Sequence, residues 1–346
     1  MKKSYLGNLD LIKALAAVGI VFHHYQQISS VKLGGAIEFY GGRFVFGYLV
    51  ELFFIISGFL TEYNCQEKAV FRFWITGKIK RLFPYAFLAC VFSLLTAAVY
   101  FYLTGQQLFG MSYSLPVILT SLFLVHTGWI REFSPAVNNP TWYLCILILC
   151  YLLYWMVKKG ILSKHIESCV FVLLALLAVP AYYAVTHGVS DIPFFRINNI
   201  RGYGSFLTGC ALCRFWQRHT ERTVFIADFA LWVMTAAGFL LLGLSSWYVL
   251  TYLFFPAIIL AALLLPQLES KAVKTAGAVS FEVYLWHVPL YGLFLTGFTV
   301  KGFEIKHSYL TMFLFTALVC LWAAGIYALI EKPLTKRLMN RQKRII

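Results

Sequence analysis

Lys13 and His24 stand eleven residues apart in one apolar run. That spacing is about three helical turns plus 20°, so a helix carries both on one face while His23 points elsewhere. A second run holds Glu51, and a later one sets Ser280, Tyr284 and His287 at i, i+4 and i+7, a single helical stripe. A buried carboxylate that orients an imidazole fixes its tautomer and makes it a better base. With Glu51 at the depth of His24 on a neighbouring helix, the two are read as a candidate general base and the carboxylate that orients it. Plainer readings stand beside this one: Lys13 snorkelling to lipid headgroups, His24 as a satisfied core histidine, and a structural His–Glu pair. Asp10, Glu282 and Glu331 are further acids within or bordering apolar runs, and Glu282 lies more than about 100° around its helix from His287.

These side chains need a membrane around them to be exceptional, and composition supplies it. The 346 residues are 60% hydrophobic and only 12% charged, half the charged share that a soluble domain carries, and the mean hydropathy is +0.75. Apolar runs of lipid-spanning length recur along the whole chain, so the solvent is a bilayer, where each ionisable group is a functional candidate. The net charge of +15 sits in short loops and at the basic C-terminus, the positive-inside pattern, not on the continuous basic face that binds nucleic acid. The first run carries Lys13 and two histidines and lacks a small-residue cleavage site, so it is expected to be a retained helix and not a signal peptide. Cys210 and Cys213 form a CxxC without a second pair or a histidine cluster at zinc spacing; neither a metal nor a bound cofactor is expected.

Apolar segments fall near 8–28, 44–63, 82–103, 113–127, 141–157, 167–185, 201–217, 225–244, 248–266, 276–298 and 308–331. The fourth is short, with Pro116 and His126 inside it. With the N-terminus cytoplasmic, a crossing at 113–127 would put the basic loops Lys158–Lys164, Arg214–Arg222 and Lys271–Lys274 outside. Without that crossing all of them lie inside. The expected fold is therefore all-α, a bundle of about ten transmembrane helices in one domain spanning 1–346, both termini cytoplasmic, with 113–127 re-entrant or interfacial.

Six segments, in order over residues 9–334, resemble the membrane acyltransferase-3 family, bacterial O-acyltransferases of cell-surface glycans. Leu9-Asp10-Leu11-Ile12-Lys13 with His24 resembles its opening motif, with Lys in place of Arg. Val50 to Leu60 is similar to its second helix, with Glu51 where Asp is common. Lys78-Ile79-Lys80-Arg81-Leu82-Phe83-Pro84 is similar to its basic turn, Asn139 to Leu144 to its Trp-led helix, Ser280 to Pro289 to its YLWH segment, and Ile330-Glu331-Lys332-Pro333-Leu334 to its closing motif. The family's frequent Glu after the Trp is absent; Cys145, Ile146 and Leu147 follow instead.

The resemblance implies an integral membrane O-acyltransferase of the cell membrane that uses acetyl-CoA or a close relative as co-substrate from the cytoplasm. It implies donor phosphates on Lys13, Lys78, Lys80 and Arg81, His24 as base with Glu51 orienting it, and an acceptor side near Tyr284, Trp286, His287 and Arg201. The expected acceptor is a hydroxyl of a cell-surface or lipid-linked polysaccharide. No esterase-like domain follows in the sequence, so transfer is expected within this one domain. Two rivals stay open: a glycan or lipid transporter using the same polar core, and an acyltransferase for a non-glycan acceptor.

Overall fold

The computed structural model describes residues 4–33, 46–65, 69–111, 113–160, 164–188, 191–218, 246–302 and 308–335. Among them every regular element is helical. In chain order these are α1 (Gly7–Leu33), α2 (Leu49–Tyr63), α3 (Phe71–Thr104), α4 (Leu115–Leu122), α5 (Trp142–Gly160), α6 (Lys164–Thr186) and α7 (Ile197–Arg218). Then α8 (Ser246–Val249) runs through a π-helical turn, Leu250–Phe254, into α9 (Phe255–Leu264), followed by α10 (Lys271–Val300) and α11 (Tyr309–Ile326).

Six helical stretches among the described residues are long and apolar enough to cross a membrane: Phe46–Tyr63, Phe71–Thr104, Asn139–Lys158, Trp247–Leu264, Lys271–Val300 and Tyr309–Thr335. The protein is a multi-pass membrane protein. The expected spans at 8–28 and 201–217 form long helices, α1 and α7, but their hydropathy is lowered by polar side chains that face the protein interior, among them Asn8, Asn199 and Ser205. Val170–Thr186, inside α6, is a shorter apolar stretch, and the expected span at 225–244 lies outside the described residues. At 113–127 only the eight residues of α4 are helical, about 12 Å of rise, well under the hydrocarbon thickness. The irregular chain after α4 folds against the bundle: Ser121 Oγ accepts from the Val137 backbone N–H at 3.3 Å, and the Asn138 side-chain amide donates to Leu285 O at 3.0 Å. Non-helical backbone at membrane depth survives only with such cover.

Two tight helix pairs position the site. α1 and α10 run parallel, with Gly277 against Asp10, His24 stacked on His287 and Tyr25 edge-on to Tyr291. α2 and α7 also run parallel, and here backbones touch: a Cβ on Gly58 would overlap the Phe206 carbonyl, and one on Gly209 would overlap the Ile55 carbonyl. Small residues let membrane helices approach this closely and gain packing and weak backbone contacts. Gly58→Leu is therefore expected to abolish recovery of monodisperse protein from membranes, whereas Ser57→Ala, which loses only the bond to Tyr143 Oη at 2.9 Å, is expected to purify normally. Size-exclusion profiles of the two variants provide the check; a normal Gly58→Leu profile would refute the contact.

Candidate functional site

His24 lies seventeen residues into α1, about 25 Å along its axis, and it is the side chain at which two cavities meet. The first, of about 500 Å³, is polar, with His23, His126, Glu132, Asn198 and Arg201 in its wall. The second, of about 350 Å³, lies on the side of α3 and α10 and is mainly apolar. His24, Gln27, Ser134, Ala136 and Asn139 belong to both walls, so the imidazole can address a group in either chamber. Gln27 hydrogen-bonds the His24 ring. The His287 ring stacks on it at 4.9 Å between centroids and 30° between planes.

His287 is itself anchored. Its Nδ1 lies 3.3 Å from Val283 O, and since a carbonyl only accepts, Nδ1 carries the hydrogen and Nε2 is left as an acceptor. That Nε2 is buried without a hydrogen-bond partner. His287 thus braces His24 from behind.

The expected partnership of Glu51 with His24 is corrected. Glu51, fully buried, accepts from Arg201 Nε at 2.6 Å across the α2–α7 pair. Tyr48 and Trp142 flank the Arg201 guanidinium at 5.5 and 5.3 Å. The reason is packing: α2 lies directly on α7, while His24 turns toward α10. His23 does not point away either. It lines the polar chamber, feels the charge of Arg201, and packs over Gly47, where a Cβ would stand 2.7 Å from its Nε2.

Of the expected acceptor-side residues, Arg201 lines the polar chamber, whereas Tyr284 and Trp286 spend their polar atoms on the protein. Tyr284 Oη donates to Pro140 O at 2.7 Å and Trp286 Nε1 to Glu282 Oε2 at 2.7 Å. Ser280 Oγ bonds Gly277 O in its own helix at 2.7 Å. Neither cavity wall includes Tyr284, Trp286 or His287. Glu331 interacts with Glu282 and with Arg81.

The cations at the other end of the bundle fall into two groups. Lys13 pairs with Asp10 at 2.5 Å, and Asp10 also accepts from Tyr5 Oη at 2.6 Å. Burial first, and then the bond to Asp10, push the Tyr5 phenol up, so it stays a donor. Lys78 donates to Thr61 Oγ1 at 3.2 Å and sits 4.7 Å over the Tyr151 ring, with Arg81 acting on it electrostatically. Lys80 and Arg81 are exposed. Next to Thr61, Glu62 gathers Arg214 at 2.5 Å, Lys158 at 3.4 Å and Tyr154 Oη at 2.7 Å. With Lys78 on the neighbouring Thr61, one acid stands among three cations, Lys78, Lys158 and Arg214, and the end of α2 is left positive.

Sequence reasoning passed over Gln27, His126, Glu132, Asn139 and Asn198 in the chambers and Glu62, Lys158 and Arg214 at the basic end. Glu62 and Arg214 had a signal, a charge inside an expected span. In the chain between α4 and α5, His126 stood inside an apolar segment and Asn139 in a family-like string, but nothing local says that this chain returns into the bundle. Among the described residues no group of three or more His, Cys, Asp or Glu is placed to hold a metal ion.

Fold and site together define a multi-pass membrane protein whose helical bundle holds a histidine at the meeting point of a polar and an apolar chamber, with cations at one end. The chain belongs to the Acyl_transf_3 family, described as an acyltransferase domain, which matches residues 6–331. It is similar to the O-acetyltransferase OatA of Staphylococcus aureus, at 24% identity over 382 aligned positions in strains NCTC 8325, COL and MRSA252. The match covers 96% of this chain and 58% of those relatives, so the chain spans little more than half their length. No solved structure matches it.

Proposed function

We propose that the protein transfers an acetyl or related acyl group from acyl-CoA, bound at the cytoplasmic end, to a hydroxyl of a cell-surface or lipid-linked glycan at the opposite end. The observation that carries this reading is the placement of His24 on the walls of both chambers, in a chain of an acyltransferase family. Lys78, Lys158, Arg214, Lys80 and Arg81 offer cations for the donor phosphates. Lys13 and His24 are eleven residues apart on α1, about 16 Å of axial rise, a gap that an extended pantetheine arm bridges.

The acceptor hydroxyl attacks the thioester carbonyl as His24 takes its proton. The C–O bond forms, the C–S bond breaks, and the same proton passes from His24 to the leaving sulfur. Gln27 and Asn139, at the junction, can donate to the oxyanion of the tetrahedral intermediate. A covalent acyl-His24 intermediate is the less favoured variant. The polar chamber suits a sugar: Trp142 offers a ring face, His126, Asn139 and Asn198 offer hydrogen bonds, and Arg201 a charge for an anionic group.

The test is transfer by purified protein in lipid nanodiscs from radiolabelled acetyl-CoA to glycan, alongside glycan mass spectrometry of a deletion strain against its parent. Label moving to glycan supports the reading; transport of unmodified glycan without label transfer would favour a flippase and overturn it. Charge reversal at the basic end, Lys78→Glu or Arg81→Glu, is expected to raise the KM for acyl-CoA at least tenfold and leave the KM for the acceptor within twofold. Equal effects on both would remove these cations from the donor site.

A further inference from the structure

The apolar chamber has no part in the transfer as described so far. Its 350 Å³ are walled by Leu108, Phe109, Val137, Val288 and Pro289, with Ser93 and Thr96 on the α3 side. A roughly 150 Å³ apolar cavity is enough for a six-carbon ring, and an acetyl group has two carbons. Space of this size beside a base implies a larger hydrocarbon. Gly292 keeps it open: a Cβ there would stand 3.0 Å from Leu108 Cδ2, 3.5 Å from Thr96 Cγ2 and 3.7 Å from Phe109 Cζ. Phe109, which closes that wall, has φ 56° and ψ 15°, the left-handed region that a bulky side chain seldom takes. Residues held so are found at ligand clamps more often than elsewhere.

We propose that this chamber receives the hydrocarbon tail of the donor's acyl group, so that the enzyme takes acyl chains longer than acetyl, with Gly292 setting the limit. The inference rests on the acyl-transfer reading above. Both substrates must meet at His24, and the hydroxyl-bearing partner has the polar chamber with Arg201 and Glu132. The carbonyl carbon lies between the chambers, and its alkyl substituent points into the apolar one. During transfer the acceptor oxygen bonds that carbon, the C–S bond breaks, the proton reaches the sulfur by way of His24, and the tail stays where it is until the ester leaves.

The experiment is a chain-length series with the full chain in nanodiscs: acetyl-, butyryl- and hexanoyl-CoA, with affinity by calorimetry and transfer rate measured separately. Affinity of the unaltered protein is expected to rise about fourfold per added methylene as each is buried, through hexanoyl. Gly292→Leu on α10, and Ser93→Leu on α3, are expected to lower the hexanoyl-to-acetyl ratio at least tenfold. Flat affinity along the series overturns the proposal. So does an unchanged ratio in both variants with a weakened acceptor, which would assign the chamber to an acceptor's lipid chain. Failure to bind any acyl-CoA overturns the acyl-transfer reading, and this inference with it; acetyl transfer with no use of longer chains overturns the inference alone.

Discussion

His24→Ala is expected to lower acyl transfer per folded molecule by about two to four orders of magnitude, the usual loss when a general base is removed, while calorimetric binding of acyl-CoA stays within a few-fold of normal. Among the described residues the ring is the one imidazole on the walls of both chambers, so none of its described neighbours holds the same place. His23→Ala should act differently, because His23 lines only the polar chamber, near Arg201. Several-fold weaker use of the acceptor is expected, with the maximal rate largely kept. His287→Ala removes the ring stacked behind the base and is expected to lower kcat more than it raises either KM. His287→Phe, which restores a flat ring, should recover much of the loss if bracing is the role. A His24→Ala protein that melts like the parent and still transfers at near-normal rate would end the mechanism.

The second large effect belongs to the Glu51–Arg201 pair. Glu51 is wholly buried while the Arg201 side chain keeps 20% of its surface exposed to the polar chamber, so stranding the Glu51 carboxylate is the costlier break, at up to about 3–5 kcal/mol. Glu51→Ala and Arg201→Ala are each expected to lower the melting temperature in detergent substantially. The double variant, with both charges gone, should lose much less than the sum of the two, since neither charge is then stranded. Catalysis separates in the same experiment. If Arg201 also contacts an anionic acceptor group, Arg201→Lys keeps the charge yet loses the bidentate fork, and its acceptor KM should rise while its melting point falls only slightly. Additive melting losses in the double variant would show that the two side chains are not energetically coupled.

Composition alone determined the solvent. A chain with 12% charged residues cannot coat itself in water, and the bilayer permits only structures that satisfy their backbone internally. The family was legible as well, because its motifs are local strings around membrane-depth charges, and those strings survive in order from Asp10 to Glu331. The helical stripe of Ser280, Tyr284 and His287 was correctly periodic, but periodicity fixes which residues share a face and not what the face meets. All three turned out buried and bonded to backbone carbonyls, with Trp286 beside them bonded to Glu282.

What only the tertiary structure decided was partnership. From depth alone Glu51 was matched to His24, since both lie a similar distance along neighbouring helices. Depth is one coordinate, and azimuth is set by packing. The glycine contacts of Gly58 with Phe206 and Gly209 with Ile55 lock α2 onto α7 and turn Glu51 to Arg201. Gly277 against Asp10 locks α1 onto α10 and turns His24 to His287. The chambers were hidden for a related reason. Their shared wall at Ser134, Ala136 and Asn139 comes from irregular chain between α4 and α5, whose path back into the bundle is fixed by long-range bonds such as Asn138 to Leu285, and no local pattern of residues encodes a contact that far along the chain.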